Sequence, residues 1–153
     1  MKKIMLIRQR RHSITVILAC IALGLEIYYS ICAGSCSYLR GSIFGIDLQY
    51  AGIAYMVSII LLGVLKKDIL LFFIVSVGVG IEFYLIGFQV WYDTYCPYCL
   101  AFGGIIFLLY IVNFIKDRLF YSLFYMAMGL VVFALVFKGS VAPTYTYTFL
   151  RRK

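Results

Sequence analysis

Apolar residues in this chain come in long, nearly unbroken runs rather than in stripes. The runs cover 14–31, 45–65, 69–92, 97–115 and 119–137, with short polar breaks such as Lys66-Lys67 and Lys116-Asp117-Arg118 between them. About 20 mostly apolar residues cross the hydrocarbon layer of a bilayer, and each run comes within a few residues of that. Backbone groups in lipid must pair within their own segment, so the pattern predicts five transmembrane α-helices. Barrel strands would alternate polar and apolar residues, and these runs do not. The spans fill about two thirds of the 153 residues. A single all-α integral membrane domain over 1–153 is therefore expected.

Composition agrees with the pattern. Hydrophobic residues make up 65% of the chain and charged ones 13%, with a mean hydropathy of +1.02. A soluble domain carries about a quarter charged residues. The net charge of +8 would by itself suit a nucleic-acid binder, but its distribution points to lipid. Lys2, Lys3, Arg8, Arg10, Arg11, Lys66, Lys67, Lys116 and Arg118 fall on one side of the threaded chain; Arg40, Lys138, Arg151, Arg152 and Lys153 fall on the other. The positive-inside rule then puts the N-terminus in the cytoplasm and the C-terminus outside. The expected location is the inner or plasma membrane of a prokaryote. The apolar run continues well past Cys20, which suits a retained helix better than a cleaved signal; Cys20 itself reads as a small apolar residue inside that helix.

The other four cysteines are grouped. Cys32 and Cys36 follow the first run, and Cys96 and Cys99 stand where the third gives way to the fourth. Threading brings both pairs to the extracytoplasmic face, where disulfides are permitted. Cys96-Pro97-Tyr98-Cys99 has the spacing of thiol–disulfide oxidoreductases. Pro97 suits the first position of a helix, which makes Cys96 its N-cap, at the positive end of the helix dipole, where a thiol ionises more readily. Cys32 and Cys36 lie one helical turn apart, within disulfide reach. A soluble partner reaches the loop pair first, and the second pair is nearer the lipid, the order an electron relay requires. Two structural disulfides would use the same four residues, and a Cys₄ zinc site is possible by count, although the CxxxC is wider than common zinc ribbon spacings. His12 is the single histidine and lies in the basic arm, so His-based metal chemistry and Cys–His hydrolysis are excluded.

Two blocks resemble the vitamin K epoxide reductase family in its small prokaryotic form. One runs from Cys36 through Ser37-Tyr38-Leu39-Arg40-Gly41-Ser42-Ile43-Phe44-Gly45-Ile46 to Gly52 and Tyr55; the other is Tyr92-Asp93-Thr94-Tyr95-Cys96-Pro97-Tyr98-Cys99-Leu100. The order of cysteine pairs and spans is similar across roughly residues 14–116. The resemblance implies a four-helix bundle around a quinone (ubiquinone or menaquinone), with a fifth helix beside it and no metal. Electrons from a soluble, extracytoplasmic, thioredoxin-like thiol protein would enter at Cys32 and Cys36, pass by disulfide exchange to Cys96 and Cys99, and reach the quinone from Cys99. Residues implied to line the quinone are Ser42, Phe44, Tyr55, Phe88, Tyr92 and Phe102. The loop cysteines are closer together than is usual in the family. About sixteen residues follow the last span, so a fused thioredoxin-like domain is not expected and the partner would be a separate protein. A position that is tyrosine in animal members falls at Gly103, which weakens a reading as an epoxide reductase.

Glu82 sits inside the third run, where an uncompensated charge costs about 3 kcal/mol or more. With Gln89 and Asp93 it forms a polar stripe toward Cys96, suited either to proton supply or to a hydrogen bond with a group such as Asn113. Glu26, near the outer end of the first run, has the same two readings. Trp91, Tyr92 and Tyr95 fit an interfacial aromatic belt as well as a pocket. Gly78, Gly80, Gly103 and Gly104 fit close helix packing. Tyr145 to Thr148 alternate like a strand. Three functions follow in order of preference: a quinone-dependent thiol oxidase supporting disulfide formation in exported proteins, a thiol-driven reductase of vitamin K epoxide or quinone, and a non-enzymatic bundle stapled by structural disulfides.

Overall fold

The structure is a computed structural model that describes residues 2–32, 39–93 and 95–141. Its elements in chain order are α1 (Lys2–Cys32), β1 (Leu39–Ile43), β2 (Ile46–Asp47), α2 (Leu48–Val64), α3 (Asp68–Trp91), α4 (Pro97–Asn113), a 3₁₀ turn (Lys116–Arg118), α5 (Leu119–Val136) and β3 (Phe137–Val141). The chain is thus mostly helical. Three helical segments, 9–31, 68–91 and 116–136, are long and apolar enough to cross a membrane, while α2 and α4 are shorter apolar helices of 17 residues each. The basic arm at the N-terminus continues α1 instead of forming a separate segment.

Each helix buries one face. Thr15, Ala19 and Ala22 of α1, Met56, Ile59 and Gly63 of α2, and Phe102, Gly103, Ile106, Leu109 and Asn113 of α4 recur at intervals of three and four, the period that aligns residues on one side of a helix. α3 is buried on more of its circumference. The contacts explain why. α1 packs on α2 and α4, and α3 packs on α2, α4 and α5. A common core joins Ala19, Met56, Val75, Val79, Ile106 and Leu109 from the first four helices.

α5 lies against α3 through two glycines. A Cβ on Gly80 would collide with the Met126 carbonyl, and one on Gly129 with the Val77 carbonyl, so the two backbones touch where a side chain would hold them apart. Such close approach is how helices associate where lipid removes the hydrophobic drive. Gly104, by contrast, has open space around it, so the packing reading does not extend to that residue.

A small sheet, absent from the all-α expectation, covers one end. Its strand order is β2-β1-β3, antiparallel throughout, with Ser42 opposite both Asp47 and Lys138, and Ile43 opposite both Ile46 and Phe137. Phe44 and Gly45 turn the β1–β2 hairpin with φ of 52° and 85°, the left-handed pair that a two-residue hairpin loop requires. The alternating segment expected at 145–148 lies outside the described residues; the strand of the tail region is 137–141 instead.

Candidate functional site: a CxxC beside an apolar cavity

α4 begins at Pro97, and its N-cap is Cys96, in extended conformation. Proline at the first helical position gives up an N–H that would have no partner there. The Cys96 Sγ accepts the Cys99 N–H at 3.3 Å, while the Cys96 N–H donates to Gln89 Oε1 at 2.8 Å. Cys96 is completely buried. A hydrogen bond from the Cys99 thiol outweighs the opposing effect of burial and holds the Cys96 thiol below the ordinary cysteine range; the Cys99 and Tyr98 amides and the Tyr29 hydroxyl add to it. Cys20, Cys96 and Cys99 are free thiols.

Cys99, one turn into the helix, faces a cavity of about 220 Å³. All four core helices contribute to its wall: Glu26 from α1, Gly52 and Tyr55 from α2, Gly78 and Glu82 from α3, and Phe102 and Ile106 from α4. Ile43 of β1 and Phe133 of α5 complete it, so the sheet and the fifth helix both reach the site. Three glycines make room for polar groups. Gly78 accommodates the Tyr55 phenol, whose hydroxyl donates to the Ile74 carbonyl at 3.1 Å. Cβ atoms on Gly52 and Gly103 would stand 3.0 Å from Glu26 Cδ and 2.7 Å from Glu82 Oε2.

The residues singled out from sequence separate into three groups. Cys99, Tyr55, Phe102 and Glu82 meet at the cavity. Cys96 and Gln89 stand beside it, joined by a hydrogen bond. Ser42, Phe44, Phe88, Tyr92 and Asp93 do not line it. Ser42 is the penultimate residue of β1, paired with Asp47 and Lys138, and Phe44 is 85% exposed at the hairpin turn. Phe88 packs on Tyr92 and Phe137 with ring centroids at 4.5 and 5.5 Å. Asp93 lies beyond the end of α3 with φ 48°, exposed, so the polar stripe stops at Gln89. Asn113 is no partner for Glu82: it bonds Thr15 Oγ1 at 2.9 Å and the Leu109 carbonyl.

Cys36 lies outside the described residues, and Cys32 is the last residue of α1. That end of α1 adjoins the start of α4, since the Tyr28 and Tyr29 rings lie 5.9 and 5.7 Å from Tyr98. Gly52, Ile43, Ile106 and Phe133 were not anticipated as cavity residues. Glu26 carried a signal: it falls four residues after Ala22 on the stripe Thr15, Ala19, Ala22 that α1 buries. Among the described residues no group of three or more His, Cys, Asp or Glu is placed to hold a metal.

No protein-family model matches this chain, and neither a curated protein nor a solved structure matches it significantly.

Proposed function

We propose that the protein is a membrane-embedded, quinone-dependent thiol–disulfide oxidoreductase, similar to the vitamin K epoxide reductase family, that takes electrons from a soluble thioredoxin-like thiol protein outside the cytoplasm. The observation that carries the reading is the position of the CxxC: Cys99 opens onto an apolar cavity while Cys96, its sulfur already accepting hydrogen bonds, sits at the helix start beside it. In this reading the four core helices form the bundle, α2 and α4 span at the short end of the usual 17–25 residues, and the sheet lies on the extracytoplasmic side.

The cavity suits a planar apolar ring. Phe102, Ile106, Leu85 and Ile43 supply its apolar wall, and Tyr55, Glu26 and Glu82 supply a few polar groups, the usual composition of a cofactor site. A quinone bound there would accept two electrons and two protons. The protein's part is to present a reactive sulfur, keep water away from it and close the disulfide. Cys32 and Cys36 would receive the partner's electrons and pass them on when a loop thiolate attacks the Cys96 sulfur of an oxidised Cys96–Cys99 bridge; Cys96, which ionises readily, then leaves the mixed disulfide as a thiolate. Cys96 and Cys99, three residues apart on one helical turn, then form the bridge as Cys99 gives up its electrons at the cavity wall.

Purified protein in lipid nanodiscs, given a reduced thioredoxin-fold partner, is expected to oxidise it only when quinone is supplied, with quinol appearing in equal amount. Undiminished quinone-dependent oxidation after Cys99→Ser would refute the assignment. Supplying vitamin K epoxide with a dithiol tests the reductase alternative, for which Gly103 is unpromising because the Glu82 carboxyl already occupies the space beside it.

A further inference from the structure

Two carboxyls reach the cavity that Cys99 faces. Glu26 comes from α1 and Glu82 from α3, the two helices that lie diagonally across the four-helix ring, each touching α2 and α4. Each carboxyl has a glycine opposite it, Gly52 for Glu26 and Gly103 for Glu82, and a methyl group at either glycine would press on the acid. Glu82 is only 3% exposed. An acid at membrane depth marks a functional position. The titratable groups that face these acids from the surrounding elements are Tyr55, Cys99 and Cys96. Tyr55 has its own acceptor in the Ile74 carbonyl.

We propose that Glu26 and Glu82 are the proton donors of the site, one carboxyl serving each oxygen of the two-carbonyl acceptor. The inference rests on the quinone-dependent reading above. The step balances as follows. The Cys96–Cys99 S–S bond forms and two S–H bonds break. Two electrons pass to the dione, Glu26 and Glu82 each give one proton to an oxygen, and the two protons released by the thiols restore the carboxyls. An acceptor with a single reducible oxygen, or one reduced without protons, would need only one of the acids or neither.

The test uses full-length protein in nanodiscs with decylubiquinone and a reduced thioredoxin-fold partner. Glu26→Gln and Glu82→Gln are each expected to lower quinone-dependent turnover roughly 100-fold, the usual worth of a positioned general acid. Gly103→Ala, which displaces the Glu82 carboxyl without deleting it, should lower turnover as well. The second readout is infrared difference spectroscopy on quinone binding with no thiol partner present. Wild type should show a perturbed carboxyl C=O band, and each Gln variant should lose its own share of it. Wild-type turnover in both folded Gln variants, checked by circular dichroism, or a carboxyl band indifferent to quinone, would overturn the proposal while leaving the oxidoreductase assignment in place. A wild-type protein that never oxidises the partner with quinone would overturn both.

Discussion

The two ends of the helix array use buried polar residues in opposite ways. At the end where α1 starts and α4 finishes, polar groups pair from one helix to another. Asn113 and Thr15 bond to one another across α4 and α1, Thr15 also donates to the Arg11 carbonyl, and Asp68 at the start of α3 takes both Arg11 and His12 Nε2, the latter at 3.1 Å. Ser122, in the first turn of α5, is shared by Ser76 at 3.2 Å and Tyr110 at 2.7 Å. At the other end Glu26 and Glu82 open into a cavity beside a thiol pair. Polar groups paired across helices tie helix to helix. Carboxyls that line a cavity beside a thiol pair can meet a ligand bound there. The contrast supports the proposed site at the cysteine end, where the acids, the thiols and the cavity coincide.

The sharpest break in the comparison comes from one substitution at each end. Cys99→Ser should reduce quinone-dependent turnover to the uncatalysed background while leaving thermal unfolding in detergent near wild type. Asn113→Ala should do the reverse, because it removes the bridge between α4 and α1 and strands Thr15 in a buried position, at a cost of about 1–3 kcal/mol. Its turnover, measured below the lowered melting temperature, should stay within a factor of two or so of wild type. If Asn113→Ala abolished turnover in folded protein, the two ends would not be functionally distinct. A second structural contrast is available at α5. Gly80→Val places a branched side chain against the Met126 backbone and should cost about 1–3 kcal/mol or more by overpacking. Because Phe133 of α5 lines the cavity, part of that loss should appear as weaker quinone binding, which equilibrium dialysis would measure.

The sequence was legible where length and composition decide the outcome. Runs of apolar residues interrupted by Lys66-Lys67 or Lys116-Asp117-Arg118 can hardly be anything but helices, and the Cys96-Pro97 pair marks a helix start through proline's missing N–H. Residue-level placement was less legible, since it depends on which face of each helix meets its neighbours. Glu82 and Gln89 share a buried face of α3, yet one opens into the cavity and the other bonds the Cys96 amide, because α3 ends at Trp91 and the chain must turn back to start α4. Phe44 was expected at the ring and is found at a hairpin turn. Nothing local distinguishes an apolar residue leading into a helix from one in a two-residue turn until β3 arrives from the far end of the chain to pair with β1. The cavity glycines were visible as glycines, but their purpose depends on what stands opposite them.

The smallest expected effect concerns Cys96 and how its environment sets reactivity. The sulfur is buried, so alkylation is slow at any pH, and the pH dependence of the rate is the informative quantity. The Cys99 thiol and the amides of Cys99 and Tyr98 stabilise the thiolate. The rate should therefore rise with pH and level off below the range where an ordinary cysteine, near 8.5, would do so. Below that lowered midpoint the sulfur is protonated and unreactive; above it the thiolate is fully formed and further alkali adds nothing. Gln89→Leu deletes the acceptor of the Cys96 N–H and loosens the turn that aims the sulfur at the Cys99 amide. The plateau should move upward in pH, with a change of a few-fold in rate near neutrality, read by mass spectrometry of the modified peptide in a Cys99→Ser, Cys20→Ser background compared with the same protein carrying Gln89. If the midpoint in that background lay at the value of an ordinary thiol with or without Gln89, the neighbouring Cys99 thiol alone would account for the lowered pKa, and the helix start would be only a place to put the cysteine.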